Sequence, residues 1–535
     1  MTIAMGPAEA ARHPFQWWEY RWAVIALVLA SMVPMLWPDV IPLVDLPGHM
    51  GRYRVQLDLD SSPHLQRFFT FEWAIIGNLG VDLIVELLGP LLGLELTVRL
   101  VVMSIPPLTV AGLLWVAREV HGRVPPTAMF ALPFAYNFPF FFGFVNFALA
   151  MALALLAFAL WLRLARQERF LLRAILFVPI SCALWIVHAF GWGTLGVLAF
   201  SAELVRQFDR SGRIVWSGWR AGLHCLALAP PMLLMVLWRS NGGGQTFDWF
   251  NFIAKLNWLK MMLRDRWELF DQLSLLLILG LLGLVILSKR LTFSRNLAAS
   301  AVFLLLVYVL LPRVVFGSAY ADMRLAPYIF AVALIGIRVP EGNLGLSRTL
   351  ALAGLAFFLV RLVGTMWSTI LYDRSFDRQL AALDHVPEGA RMVSFVGRNC
   401  VEPWAMSRLL HLPAMAIVRR QAFANDQWTM LGAQLLSTRY PPGGRFVRDP
   451  TQIVTQRRCY GEMWLTIDQS LAYFPRQAFD YVWLIEPPPY NPAFAADLTP
   501  IWRDGTSVLY RVNRAGADAS LTPPVAQAPA DRVER

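Results

Sequence analysis

The feature that most constrains this chain is a series of long apolar runs separated by short polar stretches. An α-helix needs about 20 apolar residues to cross the roughly 30 Å hydrocarbon core of a bilayer. With 57% hydrophobic and 16% charged residues, the composition excludes an ordinary soluble protein. We therefore predict a polytopic α-helical membrane protein. Its spans, about eleven by length, are 22–39, 97–117, 127–144, 146–163, 174–189, 191–205, 220–238, 272–288, 297–312, 324–338 and 349–370.

The positive charge of the chain predicts its orientation. A net charge of +11 could indicate nucleic-acid binding, but the arginines fall mainly in short loops between apolar runs. Such loops are typical of the cytoplasmic side of a membrane protein. Five basic clusters share that side if the run 81–95, interrupted by Gly89 and Pro90, lies in the outer interface or in a re-entrant position instead of spanning. The clusters are Arg118/Arg123, Arg163/Arg166/Arg169/Arg173, Arg206/Arg210/Arg213/Arg220, Lys289/Arg290/Arg295 and Arg338/Arg348.

These patterns divide the chain into four parts. Residues 1–21 form a cytoplasmic N-terminus, and 22–370 form a transmembrane domain with a first long loop at about 40–96 on the outer side. The first apolar run lacks a small-residue cleavage site and is read as a retained span, not a signal peptide. Residues 371–513 form an extracytoplasmic domain. Residues 514–535, rich in Ala and Pro, are predicted to be disordered.

The domain after residue 370 contains short runs rich in β-branched and aromatic residues, which predict a small α/β sheet. The runs are RMVSFV at 391–396, AMAIV at 414–418, YVWLIE at 481–486 and SVLYRV at 507–512. We find no nucleophile elbow, phosphate-binding glycine loop or zinc-ligand spacing in this domain. A structural or acceptor-binding role is therefore favoured over chemistry.

Four cysteines divide by location. Cys182 and Cys225 lie in predicted spans and are read as small apolar packing residues. Cys400 and Cys459 share the predicted outer domain, where an oxidising compartment permits a disulfide. The sequence supplies no geometry for that pair, so the bridge stays open.

A polar segment, DLPGHMGRYR at 45–54, directly follows the first span. Pro47 can begin a helix, which brings Asp45, His49 and Arg52 near one face. Charged groups next to hydrocarbon are costly and usually mark function. The alternative is that Asp45 caps the helix, while Arg52 and Arg54 anchor it at the interface.

Further polar groups lie at predicted outer edges of the bundle. Arg324 could bind a lipid phosphate through a charge-assisted contact, although it could instead form a local pair with Asp322. The loop 240–271 contains the glycines 242–244 and is a candidate lid. Asp58 and Asp60 form a DxD pattern that reads more simply as a polar helix end. The remaining candidates are Asn78, Asp82 and His188.

The order of these parts resembles the GT-C superfamily of membrane glycosyltransferases. That superfamily includes protein O-mannosyltransferases, aminoarabinose lipid A transferases and RgtA/B/C/D-like bacterial enzymes. The likeness covers about 20–370. Within it, the segment DLPGH at 45–49 matches the D-x-P-x-H-like acidic motif at the start of the first outer loop of the family. The family often has a paired acid motif or a second acid in another outer loop, whereas in this chain Leu46 follows Asp45. The resemblance therefore leaves a divalent metal ion open as a cofactor.

The resemblance implies that a sugar passes from a polyprenyl-phosphate donor to an outer-face acceptor, which is a glycan, lipid or protein. It also implies the inner membrane of a bacterium, with the C-terminal domain in the periplasm. Asp45 would be the catalytic base. The residues implied to bind substrate or phosphate are His49, Arg52, Arg54, Asn78, Asp82, His188, Asp322 and Arg324.

Other functions remain open from the sequence. A polysaccharide polymerase or ligase would also use a multi-span body with outer arginines on a lipid pyrophosphate. A non-enzymatic transport or assembly protein is the other alternative, although few ionisable residues lie mid-span as transport coupling requires. The discriminating observation is whether Asp45, His49, Arg52 and Arg324 line one cavity.

Overall fold

Helices make up most of this computed structural model, which describes residues 15–237, 245–288, 290–340, 343–429 and 434–513. The candidate lid glycines 242–244 and the tail 514–535 lie outside the described residues. The α-helices are α1 (Arg21–Ala30), α2 (Leu46–Asp58), α3 (Pro63–Gln66), α4 (Gly80–Leu92), α5 (Leu94–His121), α6 (Phe138–Phe142), α7 (Val145–Arg166), α8 (Phe170–Val187), α9 (Ala189–Ser211), α10 (Ile214–Cys225), α11 (Pro231–Leu237), α12 (Phe252–Lys260), α13 (Glu268–Leu287), α14 (Arg295–Leu310), α15 (Ala321–Ile335), α16 (Leu344–Leu380), α17 (Met415–Arg420) and α18 (Ile467–Tyr473).

The strands are short and concentrate near the C-terminus. They are β1 (Phe69–Phe71), β2 (Thr292–Phe293), β3 (Ile337–Arg338), β4 (Met392–Gly397), β5 (Leu436–Thr438), β6 (Ile453–Thr455), β7 (Leu465–Thr466), β8 (Tyr481–Ile485), β9 (Leu498–Asp504) and β10 (Ser507–Val512). The main sheet has the order β7-β6-β4-β8-β10-β9. The pairs of β4 with β6, β4 with β8, and β6 with β7 are parallel, whereas β10 runs antiparallel to both β8 and β9.

Within the described residues, five helical segments are long and apolar enough to cross a membrane. They are α5, α7, α8, α13 and the stretch Leu344–His385; Arg21–Met35 and α14 are shorter apolar segments. The protein is therefore membrane-embedded, as predicted, but these helices do not account for all eleven predicted spans. The run 127–144 instead forms a 3₁₀ helix, Pro126–Tyr136, followed by α6, and every residue of the 3₁₀ helix is buried. Hydropathy alone does not distinguish such a buried 3₁₀ segment from a regular apolar α-helix.

The run 81–95 forms the amphipathic helix α4 and the start of α5. One face of α4, including Val81 and Val85, is buried, whereas Leu83, Leu87 and Leu91 on the other face are exposed. Such a helix suits the interface between lipid and water. Its interfacial location stays a prediction.

The C-terminal domain begins later than the sequence indicated, because α16 continues through the predicted boundary at 371 and ends at Leu380. We define this domain as residues 381–513. The runs at 391–396, 481–486 and 507–512 form β4, β8 and β10, as predicted. The AMAIV run is wrong as a strand, since residues 412–414 form a 3₁₀ helix and 415–420 form α17. A short run buried on all sides has no alternation that separates strand from helix.

The first long loop and the C-terminal domain form one packed unit. Strand β1 pairs antiparallel with β5, so that Phe69 lies opposite Thr438. Phe68 and Phe69 of the loop share a hydrophobic core with Phe395 and Val482 of the sheet. Helix α2 packs against α17. The first long loop is therefore fixed in place by residues that follow it by more than 300 positions.

A disulfide joins Cys400 and Cys459, the pairing that the sequence left open. It connects the loop after β4 to the loop after β6. Both loops contribute to the cavity described below.

Candidate functional site

A cavity of about 740 Å³ lies between the helical bundle and the C-terminal domain. Its volume falls within the range typical of small-molecule sites. The walls come from the start of α2, the junctions α6–α7 and α8–α9, the start of α15, and loops next to β4 and β6. The polar and charged side chains on its walls include Asp45, His49, Asn78, Asn146, His188, Arg324, Arg398, Glu402, His411 and Asp449.

Asp45 occupies the position that precedes the first turn of α2. Its backbone N–H donates to the Phe142 carbonyl at 3.0 Å. Gly143, at φ +98°, allows this approach, because a Cβ there would lie 2.6 Å from the Asp45 nitrogen. Asp45 is the N-cap residue of α2, but its side chain makes no capping hydrogen bond, so the helix-cap alternative holds for its position and not for a hydrogen bond. Its carboxyl oxygen Oδ1 instead lies 3.9 Å from Nε2 of His411.

Burial raises the pKa of the Asp45 carboxyl well above its usual range. The Asp449 carboxylate raises that pKa further, and the Arg324 guanidinium opposes both effects. A raised pKa favours the protonated form of a carboxyl group, and carboxyl groups perturbed by burial and a nearby charge are common at functional sites. The electrostatics of Asp45 therefore make it a candidate functional residue.

Arg324 projects from the first turn of α15 into the same cavity. Its guanidinium stacks over the ring of Phe144, 4.2 Å from the centroid. Nη2 donates long hydrogen bonds to Ser318 Oγ at 3.3 Å and to the Ala319 carbonyl at 3.4 Å. The buried Nε has no hydrogen-bond partner, and Arg324 has no ion-pair partner in the described part of the chain. The group therefore has unused donor capacity for an anion.

The suggested local pair between Asp322 and Arg324 does not form. Asp322 is fully buried behind the cavity, and its Oδ2 lies 3.3 Å from Nζ of Lys255. The same lysine donates to the carbonyls of Tyr308 and Leu311. Asp322 is thus a structural partner of α12 and does not line the cavity.

Three histidines line the cavity. His49 and His411 flank the ring of Trp428, with centroid distances of 5.1 and 4.4 Å. Burial and the nearby Arg52 lower the pKa of His49, so its ring is held neutral. His188 caps α9, where its Nδ1 accepts from the Phe190 N–H at 3.1 Å. His188 therefore stabilises the start of α9 and also lines the cavity.

Asn78 reaches the cavity through the loop that precedes α4. Its carbonyl accepts a hydrogen bond from Asn146 Nδ2 at 3.0 Å, and the same amide donates to Asp82 Oδ2 at 3.0 Å. Asn146 Oδ1 accepts from the Val81 N–H at 2.6 Å. Asn146 thus holds the first long loop against α7 at the edge of the cavity.

Arg52, Arg54 and Asp82 are not cavity residues, contrary to their prediction as substrate ligands. Arg52 and Asp82 form a buried ion pair at 2.7 Å, and Arg52 also donates to Gln434. Arg54 bonds Asp58 at 2.5 Å and the carbonyl of Val418. These charges already have partners of opposite sign or carbonyl acceptors, so they stabilise the first long loop.

The sequence did not identify the groups that the C-terminal domain contributes. They are Arg398, Glu402, His411 and Asp449. Arg398 bonds Glu402 at 2.7 Å and stacks over Trp464 at 4.7 Å. No local spacing relates these residues to Asp45, because the contact arises from packing between distant segments. The pair of glycines at 48 and 51 was the available signal of such packing.

Gly48 and Gly51 let the C-terminal domain approach α2 closely. A Cβ on Gly48 would lie 2.6 Å from the Trp428 ring and 3.3 Å from Cβ of His411. A Cβ on Gly51 would lie 2.7 Å from the side-chain amide of Gln427. The absence of side chains at both positions therefore brings His411 to Asp45.

A second cavity, of about 320 Å³, adjoins the first. The two share Asp449, Pro450, Ile453 and Trp464 as wall residues. Arg445 and Arg448 line the smaller one, which lies entirely in the C-terminal domain.

The described residues provide no set of ligands for the divalent metal ion that the resemblance left open. Across the described ranges, no three His, Cys, Asp or Glu side chains are arranged to hold a metal ion. No step proposed below uses one. Comparison of the chain with protein-family models and with curated proteins found no match.

Proposed function

We propose that this protein is a membrane glycosyltransferase of the GT-C type, which moves a sugar from a polyprenyl-phosphate donor to an acceptor hydroxyl. The observation that carries this proposal is the presence of the Asp45 carboxyl and the Arg324 guanidinium in one cavity. The two residues come from the first long loop and from α15, and neither is held in an ion pair with a residue of fixed charge within the described ranges. The Asp45 carboxyl is suited to accept a proton, and the Arg324 guanidinium is suited to bind an anion.

Glycosyl transfer from a lipid phosphate requires both of these groups. Ionised Asp45 takes the proton from the acceptor hydroxyl while the acceptor oxygen attacks the anomeric carbon of the sugar. The bond from that carbon to the phosphate oxygen breaks, and the configuration at the carbon inverts. Arg324 stabilises the negative charge that develops on the departing phosphate.

The aromatic walls of the cavity favour a lipid-linked donor. Phe142, Phe144, Phe147 and Phe190 surround the space near Arg324. Aromatic faces bind the apolar side of a sugar ring and the first units of a prenyl chain. Because this part of the cavity lies against the helical bundle, the lipid tail can remain in hydrocarbon while its phosphate meets Arg324.

The acceptor, a glycan, lipid or protein, would enter from the C-terminal domain. Trp464 and Asp449 belong to both cavities, so a molecule in the smaller one lies next to the larger one. This arrangement gives donor and acceptor separate approaches to Asp45.

The proposed location is the inner membrane of a bacterium, crossed about eleven times, with the N-terminus in the cytoplasm. The C-terminal domain would lie in the periplasm. The Cys400–Cys459 disulfide supports this side, because disulfides persist in oxidising compartments. The basic clusters between apolar runs support the same orientation.

Asp45→Asn tests the function directly. Loss of a general base lowers the rate about 10²–10⁴-fold, so sugar transfer from a labelled polyprenyl-phosphate donor should fall to that extent at matched protein abundance. Asp58→Asn is the control, since Asp58 lies on the same helix but pairs with Arg54 outside the cavity. Near-normal transfer by Asp45→Asn would refute the proposed base.

A further inference from the structure

The smaller cavity of the C-terminal domain contains two arginines whose charges the protein does not neutralise. Arg445 and Arg448 both line it, and both side chains are exposed. Within the described ranges, neither guanidinium forms an ion pair or a hydrogen bond, and Arg445 lies over the ring of Phe446, 6.0 Å from its centroid. The N–H donors of both side chains are therefore available to a ligand in the cavity.

Pairing is common among the other arginines of this domain. Arg391, Arg398 and Arg476 each pair with a carboxylate, at 2.6, 2.7 and 2.9 Å. Residues 439–458, by contrast, include five arginines and a single acid, Asp449. An excess of arginine in short loops orients a membrane protein, but a whole domain crosses the membrane largely regardless of its charge. The positive charge at this cavity therefore has no topological origin.

The one acid among the described wall residues does not neutralise the two arginines. Asp449 Oδ1 accepts a hydrogen bond from Gln452 Nε2 at 2.7 Å, and the Asp449 N–H donates to the Gln427 carbonyl at 3.1 Å. Asp449 also lines the larger cavity, where its charge acts on Asp45. The smaller cavity is therefore left with an excess of positive charge.

The segment that carries the two arginines is fixed to the core of the domain. Phe446 lies between them in sequence, is 1% exposed, and packs against Phe395 of β4 with the ring centroids 5.8 Å apart. The Arg448 carbonyl accepts a hydrogen bond from the Thr451 N–H at 3.0 Å. Because the backbone is held in this way, binding a ligand requires ordering of the side chains alone, which lowers the entropic cost.

Trp464 connects this charged surface to the larger cavity, since it lines both. The guanidinium of Arg398 lies 4.7 Å from the centroid of its ring. The disulfide between Cys400 and Cys459 joins the loops on which Arg398 and Trp464 lie. A half-buried tryptophan offers an apolar surface to a sugar ring. An aromatic wall next to free guanidinium groups therefore suits a saccharide that carries a negative charge.

We propose that the smaller cavity is a subsite for an anionic sugar of the acceptor, whose carboxylate or phosphate is bound by Arg445 and Arg448. The planar fork of a guanidinium matches the geometry of both anions. That this saccharide is the acceptor rests on the proposed function, whereas its binding does not. The volume of about 320 Å³ is at the lower end of the range for ligand sites. The rest of the acceptor therefore extends past Trp464 into the larger cavity, where its hydroxyl meets Asp45.

Binding of defined oligosaccharides to the full-length protein in detergent, measured by calorimetry without donor, tests this subsite. The probes are a tetrasaccharide of mannuronic acid, the same tetrasaccharide with its carboxyl groups reduced to alcohols, and that neutral form with a terminal phosphate. At least one anionic probe should bind about tenfold more tightly than the neutral one, and added salt should reduce the difference. The anion that binds identifies the charged group. If neither anionic probe binds more tightly than the neutral one, the proposal is overturned.

Variants of the two arginines show whether the preference arises in this cavity. Arg445→Gln combined with Arg448→Gln should weaken binding of the anionic probe about tenfold and leave the neutral probe unaffected. Arg445→Lys with Arg448→Lys keeps the charge and should retain a preference for the anion. Arg503→Gln with Arg511→Gln is the matched control, because both arginines are exposed in the same domain and line neither cavity. A preference that survives the loss of Arg445 and Arg448 would refute the subsite.

Transfer assays distinguish failure of this inference from failure of the proposed function. If Asp45→Asn is inactive while the double glutamine variant binds and glycosylates anionic acceptors as the wild type does, the proposed function stands and the subsite is wrong. If the wild type transfers no sugar but shows the arginine-dependent preference, the cavity is a site for anionic saccharides and the glycosyltransferase function is wrong.

Discussion

Two groups of buried charges lie at opposite ends of α8 and α9, and they differ in how their charges are satisfied. Away from the cavity, Glu203 bonds Arg173 and Arg206, both at 2.5 Å. His224 contacts the same two arginines at 3.1 and 3.3 Å. We call these four residues the paired cluster. Each of its charges has an opposite charge or a hydrogen-bond partner within the protein.

At the other end, His188 lies beside the cavity that contains Asp45 and Arg324. We call Asp45 and Arg324 the open pair, because both face space large enough for a ligand. Burying a charge costs several kcal/mol unless a partner compensates. In the paired cluster, residues of the protein compensate the buried charges. In the open pair, this compensation is left to a molecule bound in the cavity. Both groups are buried, so burial alone does not distinguish structural charges from charges that are available to a substrate. The degree of pairing within the protein does.

The largest predicted effect concerns stability. Glu203→Leu would leave Arg173 buried without its carboxylate, which should destabilise the protein by about 3–5 kcal/mol. Thermal unfolding in detergent should show a lower midpoint, while transfer per folded molecule stays unchanged. Asp209→Ala is the control, since its exposed pair with Arg295 should contribute less than about 1 kcal/mol. If Glu203→Leu lost transfer activity without losing stability, the paired cluster would not be structural and its contrast with the open pair would be wrong.

The next effect concerns catalysis. Arg324→Gln removes the cation proposed to bind the departing phosphate, and transfer should fall about 10²–10³-fold. Stability should hardly change, because Arg324 has only long hydrogen bonds to Ser318 and Ala319. Arg313→Gln serves as the control, since Arg313 pairs with Asp248 and does not line the cavity. Strong destabilisation with unaltered transfer would place Arg324 with the structural charges.

The smallest effect is expected at Arg54, which was a predicted ligand and is instead a partly exposed partner of Asp58. Arg54→Ala should cost about 0–1 kcal/mol and leave transfer near the wild-type rate. Measurements of unfolding and of initial transfer rates on the same preparation would check both values. A large loss of transfer would show that pairing with Asp58 does not exclude Arg54 from the reaction.

The sequence predicted best where the signal is local. The acid and proline at 45 and 47 indicated the start of α2 and a polar site, and buried β-branched runs indicated β4, β8 and β10. The run at 414–418 failed because a short, fully buried segment has no period of its own. The hydropathy of 127–144 did not reveal that this run forms a 3₁₀ helix followed by α6, since a segment surrounded by protein is as apolar as one surrounded by lipid.

The site itself was less predictable because its composition depends on distant contacts. Arg52 and Asp82 were both predicted to bind substrate, yet they neutralise each other across 30 residues of chain. His411 and Asp449 gave no signal, because their relation to Asp45 exists only after the C-terminal domain packs on α2. Local spacing identifies candidates, and packing decides which of them remain available.

The pairing of β1 with β5 also sets the order in which this protein can mature. During synthesis, β5 leaves the ribosome about 370 residues after β1, a delay of roughly 20–70 s at ordinary elongation rates. Throughout that interval the first long loop lacks its partner strand and the wall that faces Asp45. A chain released after its last long apolar helix could enter the membrane but could not complete the cavity, so any activity would belong to finished molecules.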